Sequence, residues 1–158
     1  MNRRHFIAMS AAAAASARAT TSSAMHIATN TYPWGTFAKR EGQTFKLHTD
    51  EALAAIASSG ITGYEPAVSS PDEFDGLGAR LKSHGLEMRS LYVGSLLHDE
   101  AQVAANITNI LAIAHKAAET GCKVIVTNPS PLKWGGAENK TDAQLITQAK
   151  ALDQLGGE

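Results

Sequence analysis

The sequence predicts an α/β protein built on parallel strands, and three observations carry that reading. Strand-like runs begin near residues 25, 61, 86 and 122. A segment with helical spacing follows each of them. A glycine stands between a helix and the next strand at Gly60, Gly85 and Gly121, where a helix C-cap often needs a left-handed residue. Strands that alternate with helices in this way pair in parallel through right-handed crossovers.

The first unit opens on Met25–Thr31, a short β-type run, and continues through a loop. Asp50–Ser59 has helical spacing, with Leu53, Ile56 and Ala57 on one face; Thr49 supplies an N-cap hydroxyl, and Asp50 and Glu51 supply first-turn acids. Ile61–Pro66 is the second strand. Pro71 opens the next helix at a position that tolerates proline, and Phe74, Leu77 and Leu81 form its inner stripe. Leu86–Val93 is the third strand. The helix from about Asp99 to Thr120 is the most regular, with Val103, Ile107, Ile110, Leu111, Ala114 and Ala117 on one stripe. Cys122–Thr127 is the fourth strand. A last helix over Thr141–Leu155 turns Leu145, Ile146, Ala149 and Leu152 inward and ends at Gly156-Gly157. No fifth strand follows, so the fold expected for 25–158 is four strand–helix units.

Residues 1–24 stand apart from this pattern. Arg3-Arg4 precede a mild, mostly alanine apolar run from Phe6 to Ala15, and Ala17-Arg18-Ala19 offers small residues for cleavage after Ala19. This is the layout of a cleavable export signal. Arg3-Arg4-His5-Phe6-Ile7 resembles the twin-arginine motif, which implies a periplasmic or secreted protein. The apolar run is about half the roughly 20 residues that a membrane span requires, so no stable membrane anchor is expected.

Of 158 residues, 44% are hydrophobic and 18% charged, a composition that builds a core. Beyond residue 19 there are 11 basic and 15 acidic residues. That balance, with no basic stripe, argues against a nucleic-acid partner. The single cysteine, Cys122, excludes an intramolecular disulfide and reads as a small buried hydrophobe.

Two architectures use this unit: an open doubly wound sheet and a closed (β/α)8 barrel. The turn after the first strand, Asn30–Thr36, has neither glycine-rich phosphate motif, so nucleotide binding by those motifs is unsupported. Ile27–Trp34, the segment Ser59-Gly-Ile-Thr-Gly-Tyr-Glu-Pro66 and Gly85–Tyr92 resemble the sugar phosphate isomerase/epimerase family, within the xylose isomerase-like barrel superfamily. The resemblance covers about 25–158 and implies a (β/α)4 half of a TIM-type barrel, truncated before its fifth strand. It also implies metal-assisted isomerisation or epimerisation of a sugar or sugar phosphate in the complete barrel. The divalent ion would be Mn, Mg, Zn or Co. The family's metal ligands come mostly from later strands, so no metal ligand transfers to this chain, and the chain alone is expected to be inactive.

Barrel enzymes place their chemistry at the C-terminal ends of the strands. Asn30, Tyr32 and Trp34 follow strand one and either bind a sugar or plug the barrel mouth. Glu65 ends strand two, as an acid/base group or substrate contact, or as a structural acceptor for a neighbouring loop. Tyr92, Ser95 and His98 follow strand three. His98 is a candidate substrate-binding or outer metal-shell imidazole, or an exposed residue at a helix start. Asn128, Ser130, Lys133 and Trp134 follow strand four; Lys133 meets a phosphate or carboxylate, or is a solvated cation. His26, His48, His84 and His115 read as structural.

Other functional classes remain beside the isomerase. A non-catalytic half barrel would leave strands one and four as open edges, which invite pairing; a homodimer through them would bind a sugar without turning it over. An endonuclease-like member of the superfamily fits poorly with the acidic balance.

Overall fold

The computed structural model describes residues 25–158, so the export signal expected over 1–24 lies outside the described residues. The elements are β1 (Ala28–Asn30), α1 (Thr31–Arg40), α2 (Asp50–Ser58), β2 (Gly63–Glu65), a 3-10 turn (Pro71–Phe74), α3 (Leu77–Ser83), β3 (Ser90–Ser95), α4 (Val103–Glu119), β4 (Val124–Pro129) and α5 (Asp142–Gly157). All strand pairing is parallel: β1 with β2, and β3 with β4.

A single four-stranded sheet was the expectation, yet the strands form two small sheets. The reason lies between β2 and β3. The backbone there is hydrogen-bonded at two points: Tyr64 N donates to Glu87 O at 2.9 Å, and Tyr92 N donates to Pro66 O at 2.9 Å. The corresponding bridges pair Gly63 with Glu87 and Ala67 with Tyr92. One strand therefore advances four residues while the other advances five, and the extra residue is a bulge. The burial pattern changes phase across it. Leu86 and Met88 are buried before the bulge, Leu91 and Val93 after it. Ser90 and Tyr92 are thereby turned to the strand face that carries Glu65.

The opposite face holds the core. Leu53 and Ile56 of α2, Leu77 and Leu81 of α3, and Ile107, Ile110, Ile113 and Ala117 of α4 pack with Tyr64, Leu91 and Val93. Each fully buried Leu or Ile contributes about 1.5–3 kcal/mol. Thr49 caps α2 as its sequence position predicts, accepting from Ala52 N at 3.3 Å. Gly60, Gly85 and Gly121 take φ of +83°, +68° and +92°, the left-handed conformation that ends a helix and that residues with a Cβ adopt at a cost.

Four expectations are corrected. The segment after β1 is a helix and not a loop. Asn30 caps it through its side-chain carbonyl, Pro33 falls in the first turn where no N–H is needed, and Lys39 and Arg40 close it. The helix expected from Pro71 is broken at Asp75-Gly76, where Gly76 is left-handed; Phe74, Leu77 and Leu81 are nevertheless all buried. The last helix runs through Gly156 and Gly157 without a left-handed stop. Its inward face is also different: Leu145 and Ile146 are 46% and 56% exposed, whereas Ala151 is buried against the core.

Candidate functional site

A cavity of about 410 Å³ opens at the C-terminal ends of β1 and β2, lined by Asn30, Thr31, Tyr32, Glu65, Ala67 and Tyr92. The pairing register brings the first of these together. Asn30 ends β1 opposite Glu65, which ends β2. The bulge then delivers Tyr92 beside them. Glu65 Oε2 accepts a 2.5 Å hydrogen bond from the Ser90 hydroxyl, which fixes the carboxylate and leaves Oε1 without a protein donor among the described residues. Tyr32 stands exposed at the rim, in the first turn of α1.

The wall behind the cavity is a hydrogen-bonded chain. The Thr31 hydroxyl lies 3.1 Å from the Tyr64 hydroxyl and accepts from Ala67 N at 3.1 Å. Ala67 O in turn lies 3.1 Å from His48 Nε2. Burial pushes the Tyr64 hydroxyl above the usual tyrosine value and lowers His48 below the usual imidazole value. Ser90, Thr31 and Ala67 are contributors that the sequence reading missed. The sequence signal for Thr31 is its place directly after β1; Ser90 could be assigned only with the bulge in hand.

The other sequence-predicted residues lie elsewhere. Trp34 turns away from the cavity: its indole N–H donates to Thr29 Oγ1 at 3.1 Å, and its ring stacks on Phe45 at 5.8 Å. His98 is buried, contrary to the exposed alternative, and its Nδ1 has no partner within the described residues. Ser95 is buried and accepts from the Thr127 hydroxyl at 3.0 Å. Asn128 lines a separate groove of about 590 Å³ with Trp134, Glu138 and Leu145. Lys133 is exposed and lines neither space.

Among the described residues no three His, Cys, Asp or Glu side chains stand close enough together to hold a metal ion. Glu65 is the one acid on the cavity wall, so these residues do not fit a divalent ion by themselves. Cys122 is a buried free thiol, pushed by burial above its usual value, and it lines none of these spaces. No described helix is long and apolar enough to cross a membrane. No family model matches the chain, and no curated protein matches it.

Proposed function

We propose that the chain forms the first half of a sugar isomerase/epimerase-type (β/α)8 barrel and that its cavity binds part of a small sugar or sugar phosphate. The observation that carries this reading is the convergence of Asn30, Tyr32, Glu65 and Tyr92 on one cavity at the C-terminal ends of parallel strands. That is where barrel enzymes hold substrate. Asn30 offers an amide and the two tyrosines offer aromatic faces with a hydroxyl at the tip, groups that match the hydroxyls and C–H faces of a sugar.

Glu65 is the residue for proton transfer. With Oε2 held by Ser90, Oε1 is free to take a proton from the carbon beside a substrate carbonyl. Returning that proton to the former carbonyl carbon, while the proton of the neighbouring hydroxyl passes to the former carbonyl oxygen, isomerises the sugar. Epimerisation instead requires a proton delivered to the same carbon from the opposite face, by a group other than Glu65. The metal implied by the family resemblance would be held by residues other than those of this cavity. The leader proposed for residues 1–24 directs the protein to the twin-arginine export route; replacing Arg3-Arg4 by Lys-Lys is expected to leave the precursor uncleaved.

Calorimetric titration with a panel of ketoses, aldoses and their phosphates tests the binding claim. The expected result is saturable binding by at least one of them, weakened about tenfold or more by Glu65→Gln, since a lost hydrogen bond to a charged group is worth about 1.5–3 kcal/mol. Binding that Glu65→Gln leaves unchanged would place the ligand elsewhere.

A second reading rests on a separate observation. β1 and β4 each pair on one side only, and Val124 of β4 is 53% exposed. Such edges accept a further strand. A second copy joined through them would make a sugar-binding homodimer in place of an enzyme.

A further inference from the structure

His48 lies in the loop before α2 and has a φ of +61°; it is the one non-glycine residue with positive φ among the described residues. A backbone conformation that a Cβ disfavours persists where surrounding contacts hold it. Here the contacts are specific. The ring is only 10% exposed, and its Nε2 lies 3.1 Å from Ala67 O. A carbonyl oxygen only accepts, so Nε2 carries the hydrogen and Nδ1 of the neutral ring is bare. Nδ1 is buried and has no partner within the described residues.

The groups facing the ring come from three elements. Glu73 of the 3-10 turn places Oε2 3.7 Å from Nε2. Arg80 of α3 donates from Nε to the His48 carbonyl at 3.1 Å. The Tyr64 ring of β2 stands 6.2 Å away, centroid to centroid. Across the Ala67 peptide, Ala67 N donates to Thr31 Oγ1 at 3.1 Å. Ala67 and Thr31 both line the cavity, so the imidazole and the cavity share one wall.

We propose that His48 is a proton-released clasp on that wall: a second proton enters the ring at Nδ1, where nothing accepts it, so the charged ring leaves the Ala67 carbonyl and the Thr31–Ala67 wall loosens. Burial is the largest influence and opposes the charged ring, as does Arg80, while the Ala67 carbonyl and Glu73 favour it; the net effect lowers the ring's affinity for the proton. The closed form therefore binds the proton more weakly than the open form, whose ring titrates near the free value of about 6.5. The open population rises as pH falls below about 6.5, by at most about tenfold per pH unit, and levels off below the closed form's own value. The inference does not depend on which ligand the cavity takes.

Amide hydrogen exchange of Ala67, followed by NMR on the full chain from pH 7.5 to pH 5 and corrected for intrinsic rates, tests it. Protection in the wild type is expected to fall as pH drops below about 6.5, by no more than about tenfold per unit. His48→Gln, which keeps an N–H donor and cannot titrate, is expected to hold protection constant with pH. His84→Gln removes a partly exposed imidazole paired with Asp50 at 2.9 Å, and is expected to retain the wild-type profile. A flat wild-type profile, or the same acid loss in His48→Gln, would overturn the clasp. Should His48→Gln fail to fold, the wild-type ring decides: titration below 6.5 with the proton arriving at Nδ1 supports it, and titration at or above 6.5 overturns it.

Discussion

Glu65 and Ser90 meet across a bulge, and much of the cavity depends on that one misalignment. Ser90→Ala removes the donor to Glu65 Oε2. The expected cost is about 1 kcal/mol of stability, read by urea denaturation, with a carboxylate no longer fixed at the cavity wall. Gly63 illustrates a different constraint. A Cβ there would lie 2.5 Å from His26 Nε2 and 2.7 Å from the Ala28 Cβ. The ring can swing away, but the Ala28 Cβ is fixed by the β1–β2 pairing. Gly63→Ala is therefore expected to destabilise by about 1–3 kcal/mol; a midpoint unchanged in urea would show that β1 is free to shift. At this scale the sequence placed Asn30, Tyr32, Glu65 and Tyr92 toward the C-terminal ends of parallel strands, and the four do line one cavity, although Tyr92 lies within β3 and not after it. It could not separate Trp34 from them. Which way an indole turns is decided by Phe45 and Thr29, and neither contact has a local signature.

The helices divide into those whose apolar stripe has a partner and those whose stripe does not. α4 buries Ile107, Ile110, Ile113 and Ala117, and its period was plain in the sequence, although Ile113 was not assigned to the stripe. Ile113→Ala is expected to cost about 2–5 kcal/mol. In α5 the stripe of Leu145 and Ile146 has the same period but stays largely exposed. Leu145→Ala should therefore change stability by no more than about 0.5 kcal/mol. Thermal denaturation of the two variants compares them directly, and a large effect at Leu145 would mean that its face is covered. α1 escaped detection because its sequence combines Pro33 and Gly35, two residues that ordinarily argue against a helix. Its cap, Asn30, and the first-turn position of Pro33 were the signals that outweighed them. The strand boundaries moved for the reason given by the bulge: alternation breaks between Met88 and Leu91, and no pattern of period two survives an inserted residue.

At the scale of the whole molecule, four parallel strands cover one side of a helical layer and leave the other side to the cavity and to open edges. The arrangement of strand, helix and glycine was legible because each unit repeats the same local chemistry. The division into two small sheets was not, since it depends on one residue of register between β2 and β3. The proposed half barrel makes a claim about what the cavity is for, and chemical-shift mapping of the full chain with candidate sugars addresses it most directly. The account predicts that a ketose, aldose or sugar phosphate perturbs the amides of 30–32, 65–67 and 92 together, and that Tyr92→Phe with Glu65→Gln abolishes the response. Shifts confined to the groove around Asn128 and Trp134, or none with any sugar, would contradict it.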